Sequence, residues 1–150
     1  MIQDELLQDI KALGGFPIYT IVIIAAFFYD KTLSAQLLAG IILAFALTVL
    51  IRMISFKERP DRQPFNNFLT RIDASGFPSL HSMRASVLAT LLILQLNNPV
   101  LIILLIVYAL AVGASRVWQK RHYASDVVAG LILGVPIALA SVWLVARFIS

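Results

Sequence analysis

The sequence predicts an all-α fold, an integral membrane helical bundle of about five transmembrane helices plus an N-terminal interfacial amphipathic helix, and three observations carry that prediction. Hydrophobic residues make up 60% of the chain and charged residues 13%, against roughly 45 to 50% and about 25% in soluble domains. The mean hydropathy is +0.89. The apolar residues fall into five long runs separated by short polar islands, and ahead of them Ile2, Leu6, Ile10 and Leu13 form one stripe of a short helix that suits the membrane interface. The 150 residues make a single membrane-embedded domain, 1–150.

In chain order, Gly14-Gly15 closes the interfacial helix over 1–13, and Pro17 suits the first turn of the next. The first span covers about Phe16 to Tyr29, with flanks to Thr32. It is short against the roughly 20 residues a bilayer core requires, so it thins the membrane or leans on its neighbours. Asp30-Lys31 marks a turn, and the second span runs from Leu33 to about Phe56 with Arg52 inside its last turn and a half. An arginine there snorkels to the interface or faces a polar cavity. Residues 57–78 form the longest polar connection, whose Phe65 and Phe68 suggest a segment lying on the membrane; a connection of this length in so compact a chain is usually functional.

The third span begins near Ser79 and ends at Asn97-Asn98-Pro99, a turn that sends the fourth, Val100 to about Val117, back antiparallel. The fifth runs from about Ser125 to Phe148, with Gly130, Gly134 and Ala138 as a stripe for close packing within the chain and Pro136 as an expected kink. With five crossings, the 57–78 connection, the start of the third span and residues 115–126 all fall on one membrane face.

Charge narrows the function. The chain carries a formal +4, but its basic residues gather at the ends of apolar runs, where they meet lipid headgroups or an anionic substrate, which argues against nucleic acid. The absence of cysteine removes disulfides, thiolate nucleophiles and cysteine metal sites. Asp4, Glu5 and Asp9 precede any apolar run, the wrong start for a cleaved signal peptide.

Three polar islands carry the chemistry. Arg52 and Arg59-Pro60 stand at a helix end and in the following loop, with Lys57 between them; two guanidiniums can converge on one oxyanion with forks of donors that match phosphate. Taken alone they are ordinary anchors of a span end. Pro78-Ser79-Leu80-His81 precedes apolar helix, with Ser79 a candidate N-cap and His81 in the first turn. In the third island His122 and Asp126 are four apart, so a helix continued through both would let the carboxylate reach an imidazole nitrogen and make the other nitrogen a better nucleophile or base. A stabilising helix pair is the alternative reading, and no third histidine or carboxylate cluster completes a metal site. Both histidines and most basic residues share one predicted face. Convergence on an anionic phosphorus centre accounts for all three islands: histidine nucleophile, histidine acid and arginine clamps.

The order Arg52-x6-Arg59-Pro60, Pro78-Ser79-Leu80-His81 and Ser115-Arg116-x5-His122-x3-Asp126 resembles the three signature motifs of the type 2 phosphatidic acid phosphatase superfamily, the lipid phosphate phosphatases, whose site is related to that of vanadium haloperoxidases. The resemblance covers Arg52 to Asp126, in order and spacing. It implies that His122 attacks phosphorus and forms a phosphohistidine, that Asp126 orients it, and that His81 protonates the leaving oxygen and then activates water. It further implies that Arg52, Arg59, Ser79 and Arg116, with Lys57, hold the phosphoryl oxygens, and that the reaction needs no metal and no cofactor. The sequence departs from the pattern twice: the family usually has lysine where Arg52 stands and often glycine where Leu80 stands.

The implied substrate is a membrane lipid phosphate: phosphatidic acid, phosphatidylglycerol phosphate or a polyprenyl diphosphate, with a slight lean to a polyprenyl or simple glycerolipid phosphate. Phosphotransfer from the same intermediate to a lipid or sugar, and non-catalytic binding of lipid phosphate, are the alternatives. The location is a multi-pass cell membrane protein, monomer or homodimer. Charge and resemblance disagree on the face: about ten of the twelve Lys and Arg lie on the active side, which the positive-inside rule places in the cytoplasm, whereas most bacterial members of the family work on the outer side.

Overall fold

The computed structural model describes residues 15–149, which form six helices. The expected interfacial helix over 1–13 lies outside the described residues. We label the helices α1 (Phe16–Tyr29), α2 (Lys31–Ile54), α3 (Phe68–Ala74), α4 (Leu80–Ile93), α5 (Pro99–Trp118) and α6 (Ala124–Ile149). Three of them, α2, α5 and α6, are long and apolar enough to cross a membrane. The other two apolar helices, α1 and α4, have 14 residues each, about 21 Å at 1.5 Å per residue. The third apolar run is therefore shorter than expected, because helix stops at Ile93 and Leu94–Asn98 turn the chain. Outward-facing Ile24, Phe45, Leu104, Ile132 and Trp143 are all more than half exposed, a surface suited to lipid.

Local chemistry sets the helix ends. The Asp30 carboxylate accepts from the Thr32 and Leu33 amides at 2.8 and 3.1 Å and starts α2 directly after α1. Asn98 does the same for α5, ahead of Pro99 at its first position. Ser79 caps α4. The connection read as wholly polar loop contains α3, begun by a capping box in which Asn67 and Thr70 satisfy each other's backbone amides. Its Phe68 and Leu69 are exposed on the same end of the molecule.

Helix α4 is the centre of the bundle. It packs against α2, α5 and α6, and every residue from Ser82 to Ala89 is buried. Its inward Met83, Val87 and Leu91 meet Leu37, Ile41 and Ala44 of α2 and Ala138 of α6. Its small residues Ala85 and Ala89 let α5 approach through Ala109 and Val112. Two buried hydroxyls bond to helix carbonyls: Thr48 donates to the Ala44 carbonyl at 2.8 Å and Ser86 to the Leu131 carbonyl at 2.7 Å, the latter tying α4 to α6.

The closest approach is between α4 and α6, through the predicted small-residue stripe. A Cβ on Gly130 would lie 2.5 Å from the Ser79 carbonyl oxygen and 3.2 Å from the Met83 nitrogen, and one on Gly134 would lie 2.7 Å from the Met83 carbonyl oxygen. Backbone stands in the way, and it cannot rotate aside as a side chain can. α6 continues as helix through Pro136. Gly130→Ala should therefore lower stability by about 1–3 kcal/mol, the usual cost of overpacking. Gly113→Ala, whose Cβ would meet only the Val127 side chain first, should cost less. Thermal unfolding of the two variants in one detergent checks the order.

Candidate active site

The three islands meet at the α4 end from which Ser79 and His81 start. The joining element is Asp126, in the first turn of α6 and fully buried. Its backbone carbonyl accepts from the Ser79 amide at 3.0 Å, its Oδ2 accepts from the Tyr123 amide at 3.0 Å, and its Oδ1 pairs with Lys57 Nζ. Lys57 also donates to Ser125 Oγ at 2.9 Å and stands over the rings of Phe77 and Tyr123. The Lys57 carbonyl in turn accepts from the Gly76 amide at 2.7 Å. One backbone-and-carboxylate lattice thus ties the three segments together.

His122 is 3% exposed and lies just before α6. Helix does not run through it to Asp126, and this changes the expected orienting pair. His122 Nδ1 is 2.8 Å from the Gly76 carbonyl oxygen and 3.9 Å from Asp126 Oδ2, so the hydrogen bond goes to Gly76. A carbonyl only accepts, so Nδ1 carries the proton and the lone pair is left on Nε2. The fit at Gly76 is close: a Cβ there would lie 3.2 Å from Arg59 Cγ and 3.3 Å from Asp126 Oδ2. Asp126 instead fixes Lys57 and the turn that carries His122.

Burial first, then the charges of Arg59 and Arg116, push the His122 pKa down to about 4, while the Gly76 bond opposes them. The imidazole is neutral at neutral pH. It faces three guanidiniums, because Arg52 also bears on it. Each is braced by the chain's own oxygens: Arg52 donates to the carbonyls of Ile72 at 3.3 Å and Pro78 at 3.1 Å, Arg59 to those of Ser75 and Asp73, and Arg116 to Gln119 Oε1 at 3.1 Å. The Nε atoms of Arg52 and Arg116 are buried without a partner. Burial lowers the Arg59 pKa, as expected for a cation held out of water.

The remaining expected residues divide. His81 is half-buried in the first turn of α4. Ser79 is fully buried, and its Oγ accepts from the Ser82 hydroxyl at 2.9 Å, so it is a capping hydroxyl. Lys57 was expected among the phosphate ligands, but its ammonium is committed to Asp126 and Ser125. Three participants carried no sequence signal: the Gly76 carbonyl, the carbonyls that brace the arginines, and Asp61. Asp61 is paired with Arg121 at 2.7 Å and close enough to act on Arg59 and Arg116. Among the described residues no three His, Asp or Glu gather as metal ligands.

Two predictions follow from this geometry. In 15N-histidine NMR spectra His122 should stay neutral with its proton on Nδ1 as pH falls to about 5, and protonate near 4. Arg59→Met should raise that midpoint by removing the foremost opposing charge. Lys57→Met should lower stability by about 1–3 kcal/mol, the scale for a buried group stripped of its partner, whereas Lys120→Met, at an exposed turn, should leave the melting temperature nearly unchanged.

Comparison with known proteins identifies the family. Residues 33–150 match the PAP2 superfamily model. Phosphatidylglycerophosphatase B of Bacillus subtilis is 34% identical over 150 aligned positions, which cover 88% of this chain and 70% of that protein. Undecaprenyl-diphosphatase BcrC of the same species is 27% identical, covering 78% of this chain and 62% of that one. Among solved structures, LpxE of Aquifex aeolicus superposes with a TM-score of 0.80 at 22% identity, over 95% of this chain and 86% of that one, which speaks to the fold. The PAP2-type phosphatidylglycerolphosphate phosphatase of Bacillus subtilis gives 0.66 at 28% identity, over 97% and 78%. A match over most of the chain, with the motif residues assembled around one histidine, places this protein in the PAP2 superfamily.

Proposed function

We propose that the protein is a lipid phosphate phosphatase that hydrolyses a phosphomonoester or diphosphate on a membrane lipid through a phosphohistidine at His122. The observation that carries this reading is the neutral, buried His122 with Nδ1 held by Gly76 and three guanidiniums about it. The names of two relatives, a phosphatidylglycerophosphatase and an undecaprenyl-diphosphatase, support the substrate class.

The chemistry then runs in two displacements. His122 Nε2 gives its lone pair to phosphorus as the bond from phosphorus to the lipid oxygen breaks, and His81 donates a proton to that oxygen. His81 next takes a proton from water, whose oxygen attacks phosphorus and expels Nε2, which releases phosphate and restores the neutral imidazole. Arg52, Arg59 and Arg116 bear the developing charge on the phosphoryl oxygens. Backbone carbonyls fix Arg52 and Arg59, and Gln119 Oε1 fixes Arg116, before substrate arrives.

In this reading the site lies at helix ends, where a lipid headgroup reaches it while its tail stays in the bilayer. We read α1, α2, α4, α5 and α6 as five crossings, with the 14-residue α1 and α4 spanning by leaning on α2 and α6 and by local thinning.

Purified protein in detergent should release phosphate from at least one of phosphatidic acid, phosphatidylglycerol phosphate and a polyprenyl diphosphate, with EDTA present. His122→Ala should reduce that release by at least about 1,000-fold, as loss of a nucleophile does. Substantial turnover by the variant would sink the covalent route.

A further inference from the structure

The bundle buries one arginine that the two displacements do not use. Arg84 stands on α4 three residues beyond His81, about 4.5 Å further along the helix axis, and is 3% exposed. Its Nε and Nη1 have no hydrogen-bond partner. Its guanidinium stacks 4.4 Å from the ring centroid of Phe16 at the start of α1. Tyr19 of α1 and Tyr108 of α5 are its electrostatic neighbours, and its charge reaches Arg116. The Tyr19 hydroxyl is also buried without a partner.

Arg84 and the Tyr19 hydroxyl are thus buried donors without an acceptor. α1, α4 and α5, which carry Arg84 and its Phe16, Tyr19 and Tyr108 neighbours, contain no Asp or Glu, and no salt bridge to Arg84 forms among the described residues. Burying a cation and a tyrosine hydroxyl without partners is costly, and a position that needed only packing would take leucine or methionine. Arginine's planar fork matches the oxygens of a phosphate, and a tyrosine hydroxyl adds a further donor. Because α4 runs from the His81 end into the bundle, Arg84 lies on the tail side of the reacting phosphate.

We propose that Arg84, with Tyr19, is a second phosphate subsite that takes the inner phosphate of a lipid carrying two. That inner group is either the phosphate between leaving phosphate and tail in a diphosphate, or the phosphodiester that joins the reacting headgroup to a glycerolipid. The subsite rests on the phosphatase reading and sharpens it: a lipid with two phosphates is preferred over one with a single phosphomonoester. Arg84 is thus a specificity-determining contact and takes no part in bond breaking.

The test compares wild type, Arg84→Gln, Arg84→Lys and Tyr19→Phe on phosphatidic acid, phosphatidylglycerol phosphate and a polyprenyl diphosphate, with thermal unfolding of each variant alongside. Arg84→Gln should lower kcat/KM on a two-phosphate lipid at least tenfold, mostly through KM, and change phosphatidic acid less than threefold. Arg84→Lys should recover part of the loss, and Tyr19→Phe, which keeps the ring, should repeat the pattern more weakly. The lipid that responds identifies which inner phosphate the subsite holds. An equal loss on all three lipids, or no loss on any, overturns the proposal. If wild type turns over none of them the phosphatase reading falls, and the subsite is then judged by binding: Arg84→Gln should bind phosphatidylglycerol at least tenfold more weakly in micelles without weakening diacylglycerol, and equal binding overturns it. Should Arg84→Gln fail to fold, Tyr19→Phe and Arg84→Lys decide by the same criteria.

Discussion

The fully buried carboxylate of Asp126 is the constraint on which the rest of this structure depends. A carboxylate that has left water must be matched by donors and a cation, and here the match is spread over distant stretches of chain. Lys57 comes from the loop after α2, the Tyr123 amide from the turn before α6, and the Ser79 amide bonds the carbonyl of the same residue. Satisfying one residue therefore assembles the walls of the site. Loosening any of these contacts leaves a charge stranded at the meeting point of α4 and α6, where Gly130 already brings the two backbones to the limit of approach.

The arginines show how such a site stays charged without collapsing. Arg52, Arg59 and Arg116 repel one another and press on His122, and an isolated cluster of that kind would draw in water or come apart. Carbonyl oxygens of Ile72, Pro78, Ser75 and Asp73 take up part of the donor capacity of two of them. The same bonds hold the 57–78 connection against the helix ends. Structure and electrostatic preorganisation are thus one set of contacts, and an arriving phosphate meets donors that need little reorganisation.

Much of this was legible in the sequence, for identifiable reasons. Long apolar runs can bury only as helices, so α2, α5 and α6 were readable almost to the residue, and glycine at Gly130 and Gly134 announced a tight helix pair. The residue types of the islands announced phosphate chemistry. What escaped was whatever the backbone supplies. Spacing of four between His122 and Asp126 suggested a direct pair, but spacing decides geometry only inside continuous helix, and α6 begins at Ala124. The acceptor for His122 is a main-chain carbonyl at Gly76, 46 residues away, and no side-chain pattern encodes a carbonyl. Lys57 was read as a phosphate ligand from its charge, and its pairing with the buried Asp126 had no sequence signal. The short α3 was hidden by a polar composition that suits loop and surface helix alike.

The two departures from the family pattern have physical explanations in the fold. Leu80, where glycine is common, turns its side chain to the main apolar cluster around Met83 and Val87, so its isobutyl group supports α4 and leaves the first turn open. Arg52, where lysine is usual, reaches two carbonyls 20 and 26 residues further along the chain with two different nitrogens of one planar group. A lysine offers a compact ammonium on a flexible stem and would serve one such acceptor well and the other poorly. The substitution keeps the charge that the site requires and adds a brace across α3 and the Pro78 turn. It also leaves Nε buried and unpaired, a residual donor in a site built to receive an anion. In the proposed reaction the stability of the loop and the affinity for phosphate draw on the same guanidinium, so the two properties cannot be altered independently at Arg52.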